Sequence, residues 1–163
     1  MYNNNLTHYI VVTGILVKDG KYLIVKRANW EKAFPGKWTF PGGKLEVLDY
    51  ALRKKDTSDH WYNVLENLLE RELKEEIGLE VKNINYVASM VYIRPDQVPC
   101  LIVNLSANLK DPNQQIVLCN ALTDFAWVDL GDAKNYDLIE GIYEELQVFD
   151  KKLKGEKIDR VLI

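Results

Sequence analysis

The feature that most constrains the fold is a stripe of apolar side chains that runs through the middle of the chain and stops at a glycine. At 100° per residue one broad face collects Leu65, Leu68, Leu69, Leu73 and Ile77. Gly78 follows where helices commonly end. We therefore predict a helix from about Trp61 to Ile77, with Ser58 or Asp59 as its N-cap. Its apolar face must be covered by another layer of structure.

The sequence on either side of this helix reads mainly as strands. The runs Tyr9–Val17 and Lys21–Ala28, joined by an Asp-Gly pair, predict a β-hairpin. Further strands are expected at 36–40, 81–93, 100–109 and 124–130, with a loop over 44–59. A second helix is expected over 137–153, with Leu138, Ile142, Leu146, Phe149 and Leu153 on one stripe. This order predicts an α/β fold, with a mixed sheet packed between helices.

Size and composition exclude some classes of protein. The 163 residues suit a single domain over 1–163. A net charge of -3 argues against a general nucleic-acid-binding surface. The start "MYNNNLTH" lacks the pattern of a signal peptide, and the longest apolar run is too short to span a bilayer, so we expect a cytoplasmic protein. Cys100 and Cys119 lie in apolar, strand-like surroundings and are expected to be reduced thiols.

Three glutamates near the end of the first helix do not fit a simple solvated surface. Glu66 and Glu70 point toward water, but Glu72 and Glu76 point into the apolar sector and Glu75 lies at its edge. Partly buried carboxylates close together are costly, because desolvation and mutual repulsion both disfavour their ionisation. Mg²⁺ or Mn²⁺ bound between them would remove this cost. A structural ion-pair network would also gather carboxylates, so both interpretations stay open on helix geometry alone.

The stretch "KWTFPGGKLE" favours the metal site. Gly42 and Gly43 come directly after a predicted strand, where a bare backbone can approach a ligand or lend a carbonyl to a metal ion. A Gly-Gly pair alone is usually a turn. Combined with the acidic helix that follows, it indicates a site.

Together these residues resemble the signature of the Nudix hydrolases, G-x5-E-x7-R-E-U-x-E-E-x-G-U, where U is a bulky aliphatic residue. Its second half is matched by Arg71, Glu72, Leu73, Glu75, Glu76, Gly78 and Leu79, and its opening glycine by Gly43. Two departures stand out. The first glutamate falls on Asp49, and 21 residues (50–70) lie where the pattern has seven. We interpret the excess as a loop insertion around 50–60, which leaves the helix in place.

The resemblance implies an α/β/α sandwich and hydrolysis of the pyrophosphate linkage of a nucleoside diphosphate derivative, with Mg²⁺ or Mn²⁺ as cofactor. It implies Glu72, Glu76 and the Gly43 carbonyl as metal ligands. Glu75 would be a further ligand or would orient water. Arg71 would pair with a glutamate of the signature and fix its rotamer.

The base and the substrate contacts are less constrained, because family members draw the base from different places. Asp124 is one candidate base and Asp96 a weaker one, the alternatives being a strand-entry residue and a solvated turn. Arg27 is a candidate for the substrate phosphates. Trp38 could stack on a base, although core packing or loop anchoring is the more common use of such a residue. Gly42 could contact substrate through its backbone.

The expected partner is a small nucleotide, with neither a nucleic-acid polymer nor a membrane, and a homodimer is left open. We lean to nucleoside triphosphates, including oxidised dNTPs. Pro95, 16 residues after Leu79, looks like a feature of ADP-ribose pyrophosphatases, so ADP-ribose or a sugar nucleotide is the alternative. A non-catalytic nucleotide sensor is the rival from another class. An RNA decapping enzyme is disfavoured by the acidic charge.

Overall fold

The computed structural model describes residues 6–158, and in them a mixed β-sheet carries helices on both faces, the α/β arrangement predicted. The strands are β1 (Tyr9–Lys18), β2 (Lys21–Arg27), β3 (Trp38–Thr39), β4 (Gly42–Lys44), β5 (Val81–Ile93), β6 (Pro99–Leu109) and β7 (Leu122–Val128). The helices are α1 (Leu48–Ala51), α2 (Val64–Ile77), α3 (Leu130–Ala133) and α4 (Ile142–Leu153). The first five residues of the N-terminal stretch considered above, and the last five of the expected domain, lie outside the described residues.

The sheet is built around β1. Its strand order is β3-β2-β1-β6-β5, with β4 paired to β1 and β7 paired to β2. The hairpin of β1 and β2 is confirmed, and Asp19 and Gly20 at its turn both have the positive φ that such a turn requires. β1 runs parallel to β6 and antiparallel to β4. One strand therefore contacts both the glycine-bearing β4 and the long strand β6.

The two long helices cover opposite faces of the sheet. Leu68, Leu69, Leu73 and Ile77 of α2 are buried in one apolar cluster, as the leucine stripe predicted. Ile142, Leu146 and Phe149 of α4 are buried in a second cluster. The sheet separates these two cores, so a residue in β1 reaches either α2 or α4 according to its position along the strand.

The structure corrects the start of the first long helix. α2 begins at Val64, and its N-cap is Asn63 in the left-handed conformation, neither Ser58 nor Asp59. The preceding residues form turns of their own, since the Asp56 amide donates to the His60 carbonyl and the Tyr62 amide donates to the Asp56 carboxylate. The region predicted as a loop also contains strand β4 and the short helix α1.

The second predicted helix also begins later than expected. α4 starts at Ile142 because the preceding residues lie along β3, where the Trp38 amide donates to the Asp137 carbonyl and the Ile139 amide donates to the Trp38 carbonyl. The prediction that Leu153 belongs to the buried stripe was wrong, since it is 55% exposed. α3 was not predicted, and β7 begins two residues earlier than expected.

Two further features bear on the exclusions drawn from the sequence. Cys100 is buried and Cys119 is half-buried, and both are free thiols. Within residues 6–158 no helix has the length and apolar character needed to cross a membrane.

Candidate active site

The site begins where the chain leaves β3 and enters β4, at Gly42 and Gly43, here called the glycine turn. Gly42 and Gly43 pair with Thr13 and Val12 of β1. A Cβ on Gly42 would lie 2.1 Å from the Val12 carbonyl oxygen, so the two strands approach this closely only because the residue is glycine. The turn is thereby pressed onto the backbone of β1.

Both inward glutamates of α2 meet this turn. A Cβ on Gly43 would lie 2.1 Å from the carboxylate carbon of Glu72, so that carboxylate takes the space a side chain would need. The Gly42 amide donates to Glu76 Oε2 at 2.9 Å. The sector assigned to these glutamates from helix periodicity therefore places them against the Gly-Gly pair.

Arg71 binds three carboxylates at once. Its guanidinium donates to Glu72 and Glu75, each at 2.8 Å, and its Nε lies 2.8 Å from Asp49 Oδ1. The side chains of Glu72 and Asp49 are only 13% and 12% exposed, whereas that of Glu75 is 61% exposed. Asp49, for which the sequence offered no role, is thus a partner of Arg71 at the far side of the insertion.

The electrostatics of the pair match the cost expected from the sequence. Burial raises the pKa of Glu72, against the opposing charge of Arg71, and Glu75 and Asp49 raise that pKa further. Burial raises the pKa of Glu76 to about 7, with the Gly42 amide opposing the shift and the charge of Glu72 adding to it. Both carboxylates therefore resist ionisation where they stand.

The donor set suits a divalent ion. Within residues 6–158, no group of three acidic, histidine or cysteine side chains converges as it would around an ion. Instead, Glu72 and Glu75 are turned toward Arg71. Two half-buried carboxylates and the backbone at Gly43 nevertheless offer the hard oxygen donors that Mg²⁺ and Mn²⁺ prefer. A doubly charged ion would also offset the burial and, after it, the repulsion that raise the pKa of Glu72 and of Glu76. The residues therefore fit such an ion.

Arg27, at the end of β2, lies within electrostatic reach of this site. Its charge lowers the pKa of Glu76, while that of Glu31 raises it. Its guanidinium donates to Glu31 at 2.8 Å and to the Ala33 carbonyl at 2.7 Å. The free protein thus holds the positive charge of Arg27 next to the acidic cluster, where it is paired with the Glu31 carboxylate.

Three other residues singled out in the sequence lie apart from this cluster. Trp38 is 9% exposed and packs edge-on against Tyr136. Asp124 is exposed on β7 and accepts from the Phe125 amide, and Asp96 accepts from Arg94. In the described part of the chain, none of the three has a hydrogen bond or ion pair with the glutamates of α2.

Sequence reasoning missed a buried polar chain on the opposite face of the sheet. Asn104 and Glu145, 1% and 3% exposed, are the buried polar or charged residues among those described. Asn104 donates to Glu145 at 2.5 Å and accepts from the Thr13 hydroxyl. Two signals were available. Asn104 interrupts an apolar run in β6, and Glu145 lies on the apolar stripe of α4.

Comparisons with known proteins give matches to a family and to its fold. A family model described as the NUDIX domain matches residues 8–147. A nucleoside triphosphatase, NudI, of Klebsiella pneumoniae is 28% identical over 137 residues, which cover 78% of this chain and 86% of that protein. NudI of Escherichia fergusonii is 27% identical over 136 residues, with the same coverage.

Solved structures show the same fold. The E. coli ORF135 protein superposes with a TM-score of 0.67 at 23% identity, covering 98% of this chain and all of that one. The NUDIX domain of Shewanella oneidensis NrtR, solved with ADP ribose, gives a TM-score of 0.66 at 21% identity, covering 90% and 89%. At such identities the likeness concerns the fold alone.

Proposed function

The chain belongs to the NUDIX domain family, and from that premise we propose that this hydrolase is a divalent-metal-dependent pyrophosphohydrolase of nucleoside triphosphates. One observation carries the proposal: Glu72 fills the space beside Gly43 while Glu76 accepts from the Gly42 amide. The substrate class is supported by the nucleoside triphosphatases that are 28% and 27% identical to this chain over 137 and 136 aligned residues.

The proposed roles follow from the contacts. Glu72, Glu76 and the Gly43 carbonyl would hold the ion, with Glu75 as a further ligand or as the residue that orients water. When bound, the ion supplies positive charge to the phosphate oxygens and to the attacking water. Arg71 fixes the rotamers of Glu72 and Glu75 through its two hydrogen bonds. Arg27 would exchange Glu31 for a substrate phosphate, since a guanidinium binds both anions in the same way.

The proposed reaction is attack of water on a phosphorus of the polyphosphate. A new P–O bond forms to the water oxygen, the bridging P–O bond breaks, and a nucleoside monophosphate and pyrophosphate separate. A protein carboxylate accepts the proton of the water. Glu75 would be this carboxylate, since its side chain is the most exposed in contact with Arg71. Asp124 stays a second candidate, which requires substrate to bridge from β7 to α2.

The intact signature supports an enzyme over a sensor. Loss of catalysis would be expected to show as damage to Arg71, Glu72, Glu75 or Glu76, and all four are intact. Arg71 contacts Glu72 and Glu75, and Glu76 accepts from the Gly42 amide. Asp49, the altered signature position, retains an ionic contact with Arg71. The substitution of aspartate for glutamate there is therefore compatible with a working site.

A turnover panel tests the proposal. Purified protein with Mg²⁺ or Mn²⁺ is supplied with the four dNTPs, oxidised dNTPs, ADP-ribose, a sugar nucleotide and a dinucleoside polyphosphate. We expect monophosphate and pyrophosphate from triphosphates. Activity should fall about 100-fold in Glu76→Gln, because the charged carboxylate that would bind the ion is lost. Glu66→Gln is the matched control, since Glu66 is an exposed glutamate on the same helix.

The outcomes separate the alternatives. Preferred turnover of ADP-ribose or a sugar nucleotide would replace the triphosphate proposal with that substrate class. Tight nucleotide binding without turnover of any panel member would favour a sensor. Equal loss of activity in Glu66→Gln and Glu76→Gln would show that the helix, and not the ion site, had been disturbed.

A further inference from the structure

The buried chain Thr13–Asn104–Glu145 connects three elements. The Thr13 hydroxyl on β1 donates to Asn104 Oδ1 on β6, and Asn104 Nδ2 donates to Glu145 Oε2 on α4 at 2.5 Å. Both Asn104 and Glu145 lie within the otherwise apolar layer under α4. Buried carboxylates and amides are expensive to desolvate, and three apolar residues would pack this layer at lower cost. The chain therefore calls for an explanation beyond stability.

The register of the sheet shows where this chain is anchored. Thr13 pairs with Asn104 in the parallel ladder of β1 with β6, and with Gly42 in the antiparallel ladder of β1 with β4. Gly42, Thr13 and Asn104 therefore stand in one row across three adjacent strands. Glu145 holds the end of that row from α4.

The same stretch of β1 is the support of the glycine turn. The Gly14 amide donates to the Pro41 carbonyl at 2.9 Å, and Gly43 pairs with Val12. A Cβ on Gly42 would lie 2.7 Å from the Thr13 Cα, so nothing intervenes between the turn and the strand behind it. A displacement of β1 at Thr13 would carry the turn, and with it the partners of Glu72 and Glu76.

We propose that Thr13, Asn104 and Glu145 are positioning residues, which hold the glycine turn at the distance from α2 that metal binding requires. α2 presses the turn from one face of the sheet. The buried chain restrains β1 from the other face and ties it to α4. This role rests on the proposed function, since it presumes an ion at Glu72, Glu76 and Gly43.

The test is Mn²⁺ affinity without nucleotide, measured from the free-ion signal in electron paramagnetic resonance. Thr13→Val removes the hydroxyl at nearly constant shape, and Thr13→Ser keeps it. The control is Tyr22→Phe, because the Tyr22 hydroxyl also ties the sheet to α4, through Asp150 at 2.8 Å, but near the hairpin turn. We expect the Kd for Mn²⁺ to rise about 10-fold in Thr13→Val. It should stay near wild type in Thr13→Ser and Tyr22→Phe.

A second readout separates position from stability. Circular dichroism without Mn²⁺ should show that Thr13→Val is fully folded under the assay conditions, so that its raised Kd reflects the site and not a loss of folded protein, which an ion that binds the folded state would also reverse. Unchanged Mn²⁺ affinity in Thr13→Val, or an equal loss in Tyr22→Phe, would overturn the positioning role while leaving the proposed function intact. A wild-type protein that binds no Mn²⁺ would overturn both. Glu145→Leu, which removes the acceptor of the Asn104 amide at similar size, provides a second variant at the other end of the chain, with the same expectation.

Discussion

At the scale of single residues, the site depends on side chains that are absent as much as on those present. The Glu72 carboxylate occupies the space that a side chain at Gly43 would need. The backbone of β1 occupies the corresponding space at Gly42. Among residues 6–158, Arg71 supplies the positive charge in direct contact with Asp49, Glu72 and Glu75. The atoms nearest to a Cβ at Gly43 all belong to the Glu72 side chain, so a substitution there should affect ion binding more than folding.

Gly43→Ala is the most direct such substitution. The added Cβ would overlap the Glu72 carboxylate, and Gly43 has no positive φ that would add backbone strain. We expect a folded protein that has lost Mn²⁺ binding and turnover, measured by titration and by the nucleotide panel. Gly20→Ala is the control, since it has positive φ but no neighbour near its Cβ. It should cost about 1 kcal/mol of stability and leave Mn²⁺ affinity unchanged. Retained Mn²⁺ binding in Gly43→Ala would contradict this reading.

Glu145 should make stability depend on pH. Burial raises its pKa from 4.5 to about 7, with the Asn104 hydrogen bond opposing the shift and Glu144 adding to it. The folded state therefore holds the proton more tightly, so this stabilisation is full below pH 4.5 and is lost as pH rises through about 7. The difference is roughly 3 kcal/mol. Urea unfolding at pH 4.5 and pH 8 should show a loss of stability in wild type that is smaller by about this amount in Glu145→Gln, where Glu76 still titrates over the same range. Equal changes in both proteins would contradict it.

At the scale of elements, sequence periodicity was reliable where burial is one-sided. The leucines of α2 predicted that helix and the direction of Glu72 and Glu76, because a helix between sheet and solvent must alternate at its own period. The helix ends fared worse. Local turns set the start of α2 after Asn63, and contacts with the distant strand β3 set the start of α4 at Ile142. The periodicity of the sequence carries no information about such contacts.

The site was foreseeable only in part for the same reason. Gly43, Glu72 and Glu76 lie near one another in a pattern that spacing and chemistry reveal. Thr13 and Asn104 are 91 residues apart and meet only because β1 and β6 pair in parallel. A long-range strand register cannot be inferred from local sequence, so the buried chain stayed hidden.

The segment around 50–60 should be removable. Residues 50–60 include no buried side chain, and their contacts are largely among themselves and with the adjacent Trp61 and Tyr62. The Trp61 indole, for example, donates to the Arg53 carbonyl. Replacing Arg53–Ser58 by a short Gly-Ser linker should cost about 1 kcal/mol in urea unfolding, through that hydrogen bond. The activity of the shortened chain is compared with that of Asp49→Asn, a variant of the full-length chain in which the contact with Arg71 is weakened. A shortened chain that does not fold would show that the segment is structural.

At the scale of the whole molecule, two apolar cores on opposite faces of one sheet are joined at the row of Gly42, Thr13 and Asn104. Like charges held close in the free protein, at Glu72 and Glu76, oppose folding. An ion that binds only the folded state should therefore stabilise the molecule as a whole.

Thermal unfolding should report this directly. Mn²⁺ at 100 times its Kd should stabilise wild type by about 2.7 kcal/mol, or roughly 5 to 10 °C. Chelation should reverse the gain. The double variant Glu72→Gln/Glu76→Gln should not respond to Mn²⁺ and should be more stable than wild type without it, because neutral amides are easier to bury. The matched pair Glu66→Gln/Glu70→Gln, exposed on the same helix, should respond like wild type. An equal response in all three proteins would place the ion elsewhere.

The contact between Asp49 and Arg71 has a consequence for how such proteins are found. A search pattern with fixed spacing does not connect these two residues, because the segment between them is three times as long as the signature allows. In space they touch at 2.8 Å. Relatives with interrupted signatures are therefore better identified by the contacts between side chains in the folded structure than by the spacing of those residues in the sequence.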